Sequence, residues 1–211
     1  MNKKNLEIIW NQVPPNYYEE GLRKNIFQYM WHTNKIRTFK RFTSSKQYKS
    51  ILDVGCAAGT LTNKISQLFP NSHISAVDIY QKSIALGKKL YPHIKFVIAD
   101  AHKLPFKNNS FELVYCCETI EHVEYPDRVL KELKRVLKKN GHAIVVMDSG
   151  SNIFRIVWWI WEKTKGRVWD GAHLHPFHHT ELETVIKKVE FKILKKHLSF
   201  FGMEVSFVLS K

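Results

Sequence analysis

Residues 51–59 read Ile51-Leu52-Asp53-Val54-Gly55-Cys56-Ala57-Ala58-Gly59, a short apolar run that breaks into two glycines four positions apart. The run suits a buried strand. The glycines suit a sharp strand-to-helix turn whose backbone comes close enough to touch a ligand. Beyond the turn, residues 59–69 place Leu61, Ile65 and Leu68 on one helical face. Further outward, apolar runs alternate with helical patterns. Ile74–Val77, Phe96–Ala99, Phe111–Cys117 and Ala143–Met147 read as strands, the last entered through an Asn140-Gly141 turn. Helices are predicted over 80–90 and about 126–138. This spacing predicts parallel pairing in a doubly wound α/β sheet that binds ligands at the strand C-termini. A helix near 180–190 and an antiparallel hairpin, 191–199 with 203–209, complete the chain. Residues 17–42 read as one or two basic amphipathic helices rich in aromatics, so 1–49 form a helical extension before a domain over 50–211.

Composition narrows the class. At 211 residues, with 44% hydrophobic and 25% charged residues, the chain suits one globular domain with a substantial core. Met1–Trp10 has no signal-peptide pattern, and no stretch approaches the ~20 apolar residues of a membrane span. Three cysteines, two of them adjacent, make no disulfide framework and point to a reducing, cytoplasmic setting. The net charge is +14, half of it carried by the first fifty residues. Such a surface attracts nucleic acid, anionic membrane or an acidic ligand, or is a solvated lysine-rich face with no dedicated partner.

The glycines alone leave several nucleotide ligands open, although the G-x-G-x-x-G of dinucleotide enzymes is absent. Carboxylates narrow the choice: Asp53, Asp78 and Asp100 each stand at the end of a predicted strand. One after the second strand can accept both ribose hydroxyls of an adenosyl ligand, and one after the third can meet an adenine amino group. With "ILDVGCAAGTLT", "SAVDIY", "FVIADAHKLPFKNNSFELVYC" and "EHVEYPDRVLKELKRVLKKNGHAIVV", residues 50–147 resemble the class I S-adenosylmethionine (SAM)-dependent methyltransferases, in the ubiquinone-biosynthesis branch. The resemblance implies a Rossmann-like seven-stranded sheet and SAM as cofactor. It implies that Gly55, Cys56, Ala57 and Gly59 line the methionine portion and that Asp53 orients its amino group. Asp78 would hold the ribose, Asp100 and Ala101 would meet the adenine edge, and Ile79 or Tyr80 would pack on the ring. Ala57 departs from the family's middle glycine, which implies a tighter turn.

On the acceptor side, Glu118-Thr119-Ile120-Glu121-His122 follows the fourth strand. In a helical turn, Glu118, Glu121 and His122 would share one face, fit to hold a divalent cation such as Mg²⁺ or to leave His122 or Glu118 as an acid–base group. Related families add a histidine from a downstream loop, for which His173 is the candidate among His173, His175, His178 and His179. The alternative is that Glu118 positions SAM with no metal. Residues 150–179 are where the family inserts a substrate cap, and here they contain Ile153 to Trp161 with Lys163, Lys165 and Arg167. These aromatics either pack as cap and core or lie on a membrane surface. The expected activity is methylation of a small, apolar or lipid-like acceptor, at oxygen first. The competing readings are an RNA 2′-O-methyltransferase using the E-x-x-E-H segment, and a non-catalytic SAM-fold interaction module.

Overall fold

The computed structural model describes residues 13–164, 175 and 177–211. Its centre is a sheet of seven strands in the order β3-β2-β1-β4-β5-β7-β6. These are β1 (Ser50–Val54), β2 (His73–Asp78), β3 (Lys95–Ile98), β4 (Phe111–Cys117), β5 (Leu137–Asp148), β6 (Lys192–Ser199) and β7 (Glu204–Ser210). The first five run parallel, and β7 lies antiparallel between β5 and β6. The chain winds outward from β1 in one direction through β2 and β3. It returns to β1's other side for β4, which puts the switch point beside the glycine turn, where doubly wound sheets bind ligands.

The helices are α1 (Tyr17–Lys24), α2 (Ile26–Thr43), α3 (Thr60–Leu68), α4 (Gln81–Leu90), α5 (Pro126–Val136), α6 (Asn152–Thr164) and α7 (His179–Lys188). Alternation along each strand feeds two cores. Leu52, Val54 and Val114 face α5 and α7, meeting Val129, Leu130, Leu133, Leu182 and Ile186. Ile51, Leu113 and Tyr115 face the other way, toward Phe39 of α2, Ile65 of α3 and Ile84 of α4. The central strands read as unbroken apolar runs because both of their faces are covered. The basic N-terminal segment is therefore part of the core at Phe39 and Tyr48. Asn25 divides it into two helices, and its side chain accepts hydrogen bonds from the Phe27 and Gln28 amides.

Two boundaries differ from the sequence reading. Helix α5 ends at Val136, and β5 starts at Leu137 rather than Ala143. Leu137 pairs with Phe111, and the register then shifts so that His142 pairs with Leu113. Asn140-Gly141 is thus absorbed in a bulge within a longer strand. Burying Leu137 against the sheet outweighs the local turn preference. In the terminal hairpin, Phe200, Phe201 and Gly202 all take left-handed conformations. The edge strand β6 carries Lys192, Lys195 and Lys196, which discourage pairing with another chain.

Candidate functional site

The site begins at the end of β1. The amides of Gly55 and Cys56 both donate to the Val77 carbonyl, which ties the turn to β2. Gly55 and Gly59 have φ of +79° and +80°. A Cβ at Gly55 would collide with the Thr119 side chain, and one at Gly59 with the Phe96 ring, so two demands select glycine at each position. Ala57 is also left-handed, at φ +48°. An alanine there costs about 1 kcal/mol relative to glycine. The conformation is held by a 2.8 Å hydrogen bond from the Ala57 amide to Asp78 Oδ2.

The three strand-end carboxylates have different surroundings. Asp53 is buried beneath the turn and accepts a 2.6 Å hydrogen bond from the Thr62 hydroxyl of α3. Burial pushes its pKa up to about 7. The hydrogen bond ties the end of β1 to α3. Asp78 takes the Ala57 amide on one oxygen and the Tyr80 amide, at 2.9 Å, on the other. Asp100 Oδ1 is engaged by the His102 amide and by His102 Nδ1, at 2.9 and 2.6 Å. Asp100 and Ala101 follow the end of β3, and Ile79 is exposed after β2, so this row lies along the same sheet edge as the turn.

Glu118 closes the other side of the turn. It follows β4 with φ +49° and lies outside the 3₁₀ turn, which spans only Ile120–His122. The expected single helical face of Glu118, Glu121 and His122 is therefore not formed. The left-handed residue sends the Glu118 carboxylate to Lys35 of α2, at 2.7 Å, while Glu121 is buried. Among the described residues no three His, Cys, Asp or Glu side chains converge as metal ligands would. His173 lies outside the described residues. Of the other histidines in this stretch, His175 places its Nε2 3.2 Å from the Glu124 carbonyl, and His178 caps α7 in a capping box with Glu181.

Lys35 gives no signal in the sequence, where it reads as one more cation on a basic helix. In the fold its side chain is 1% exposed. It pairs with Glu118 and lies 5.2 Å from the Trp31 ring centroid. The ion pair overcomes the burial of both groups, holding the Lys35 ammonium above its ordinary pKa and the Glu118 carboxylate below. Glu118 Oε1 is buried with no hydrogen-bond partner. Lys35, Glu118, His32, Tyr18 and Lys64 line a cleft against Gly55–Ala58, with a volume of about 60 Å³. His32 is held down to a pKa of about 3 by burial and by Lys35, so it stays neutral. Helix α1 closes the cleft: the Tyr18 ring meets His32 edge-on at 5.3 Å, and Tyr91 donates to Glu19. A larger depression of about 350 Å³ lies elsewhere, among Lys131, Lys134, Arg135, Lys188 and Lys211. It gathers helix C-termini and has none of this chemistry.

Asp148 and Glu204 extend the buried charge behind Lys35, and burial raises each to about 7. Glu204 accepts from Asn34 and Ser199. With Asp53, these are three carboxyl groups whose folded pKa lies above the unfolded value near 4. The fold binds their protons more tightly than the unfolded chain, so their contribution is fully present below pH ~4 and is lost as pH rises toward ~7. The ligand-free chain is expected to melt at a higher temperature near pH ~5 than near ~7.5, in contrast to a protein stabilised by paired carboxylates. A thermal melt that rises or stays flat across that window contradicts the assignment.

Sheet order, glycine turn and strand-end carboxylates together define the class I SAM-dependent methyltransferase architecture. Residues 52–145, somewhat under half of the chain, match the family model described as a methyltransferase domain. The chain is 35% identical over 121 residues to a ubiquinone/menaquinone biosynthesis C-methyltransferase of Hahella chejuensis, covering 52% of this chain and 49% of the relative. It is 25% identical over 147 residues to a demethylmenaquinone methyltransferase of Chlorobaculum tepidum, covering 69% and 60%. The chain thus spans about half to three-fifths of these relatives' length. Its fold superposes with a TM-score of 0.72 on a SAM-dependent methyltransferase of Thermotoga maritima, named as a possible histamine N-methyltransferase. That match has 19% identity and covers 96% of this chain and 99% of the other.

Proposed function

We propose that this protein transfers the methyl group of SAM to a small, apolar, ring-bearing acceptor. The observation that carries the reading is the turn Gly55–Gly59 set between Asp78 and the Lys35-held carboxylate of Glu118. When bound, SAM supplies an electrophilic methyl on a sulfonium, so alignment by the protein is the main catalytic demand. The residues present fit such a ligand. Asp78 is already oriented by two amides and keeps further acceptor capacity for ribose hydroxyls. Glu118, kept ionised by Lys35, has one oxygen free for a cationic group of the methionine end. Asp100 and Ala101 stand where an adenine edge would lie.

For the acceptor, the name of the Hahella relative, a ubiquinone/menaquinone biosynthesis C-methyltransferase, favours carbon over the oxygen expected from sequence. His122, beside the cleft after β4, is the group we assign to collect a proton released by the acceptor. The RNA reading drew on the net charge and on an E-x-x-E-H metal face, and Glu118 instead pairs with a lysine. The test is a labelled-methyl assay against cell extract separated into lipid, small-molecule, RNA and protein fractions, preceded by calorimetric titration with SAM. The expected result is SAM binding and label in an apolar small molecule. Label in RNA overturns the acceptor assignment, SAM binding without any transfer favours an interaction module, and no binding of SAM overturns the reading altogether.

A further inference from the structure

Helix α6 carries large apolar side chains on its exposed side as well as its packed side, which a surface helix of a soluble domain seldom does. Phe154, Trp158 and Trp161, at i, i+4 and i+7, form its packed side, with Phe154 buried and stacked on Trp158. The other side presents Ile153, Ile156, Val157 and Trp159, of which Ile156 is 62% and Trp159 56% exposed. Two neighbouring elements also expose aromatic side chains. The tip of the β6–β7 hairpin carries Phe201, 81% exposed. It is locked to the start of α6 by hydrogen bonds from Ser149, whose hydroxyl donates to the Gly202 carbonyl at 2.6 Å and whose amide donates to that of Met203 at 2.8 Å. Phe200 of the same tip meets Trp31 of α2 at 4.9 Å, and one helical turn before Trp31 stands Phe27, 70% exposed.

We propose that this three-element surface docks the protein on the face of an anionic lipid bilayer. The charges around it are complementary to such a face. Arg155 and Lys163 are exposed on α6, with the Lys163 ammonium 4.1 Å from the Trp159 ring centroid. Arg23 and Lys24 precede the exposed Ile26-Phe27 pair across Asn25, and Lys24 also binds Glu20. A second copy of the chain would bring these cations against themselves in a two-fold interface, whereas anionic headgroups neutralise them. Among the described residues no helix is long and apolar enough to cross a membrane, so the contact is peripheral, with tryptophan at headgroup depth. The surface adjoins the Asp148–Glu204 pair at the end of β5 and the start of β7, whose carboxyl groups interact with Lys35 and Glu118. A lipophilic acceptor would pass from bilayer to cleft without crossing water. In this respect the inference rests on the apolar-acceptor reading above.

The test is cosedimentation of the full chain with vesicles of phosphatidylcholine alone and with added phosphatidylglycerol. The expected result is binding to the anionic vesicles, weakened by salt, and little binding to phosphatidylcholine alone. Ile156→Ser, Trp159→Ser and Phe201→Ser combined are expected to lower partitioning roughly a hundredfold. Because all three are exposed, the melting temperature stays unchanged. Wild-type protein that remains in the supernatant, or a triple variant that binds as well as wild type, overturns the proposal. So does a dimer by light scattering that the same substitutions dissociate, since a second copy then covers the face. SAM titration of the same samples separates the two readings: failure to bind SAM removes the methyltransferase assignment and leaves the vesicle result standing.

Discussion

Lys35→Met is expected to lower stability by about 3 kcal/mol, a drop in melting temperature of roughly 10 °C for a chain of this size. The substitution preserves most of the aliphatic stem and removes only the ammonium. Glu118 is then left beside Cys117 and the buried Glu204, Asp148 and Glu121 without its cation. It must either stay charged in a poor dielectric or take up a proton. The Glu118 side chain is 25% exposed, which puts the cost at the lower end of the range for broken buried pairs. Removing both charges, in Lys35→Met with Glu118→Gln, is expected to recover most of the loss, because a neutral pair no longer pays for desolvation. Thermal melts of the four proteins form a double-mutant cycle. If the single variant melts with the wild type, or the double variant melts no higher than the single, the pair is not the buried unit described here.

Asp78→Ala is expected to weaken SAM binding by roughly a hundredfold, equivalent to losing charged hydrogen bonds of about 1.5–3 kcal/mol each. Two effects combine. The acceptor proposed for the ribose hydroxyls is gone, and the Ala57 and Tyr80 amides lose the carboxylate that orients them. Asp78→Asn separates these effects. Its amide nitrogen must face one of the two backbone donors, so it disturbs the turn while retaining one acceptor oxygen. Calorimetric titration of the three proteins should rank wild type above asparagine above alanine. An alanine variant that binds SAM as tightly as wild type would remove Asp78 from the site.

Much of the fold was legible from the chain. Every strand was located to within a few residues, except that β5 starts six residues earlier than expected. Central strands buried on both faces leave long apolar runs, and helices packed on one side leave a 3.6-residue period. The glycine turn was legible for a related reason, since positive φ and close approach restrict Gly55 and Gly59 to glycine. On the acceptor side the sequence offered spacing without conformation. E-x-x-E-H reads as a shared helical face only if Glu118 is helical, and its φ of +49° turns it away. Of the histidine cluster, His178 caps a helix, and the favoured His173 lies outside the described residues.

By itself the sequence determined the sheet, the turn at residues 51–59 and the row Asp53, Asp78, Asp100, because each depends on local pattern and a neighbour within one strand–helix unit. Only the tertiary structure decided how those carboxylates differ: Asp53 lies under Thr62, whereas Asp78 is tied to the turn's own backbone. Only the tertiary structure brought Lys35 to Glu118, across 83 residues of chain. Burial and charge pairing arise between elements distant in sequence, and no periodicity along one helix records which carboxylate waits on the other side.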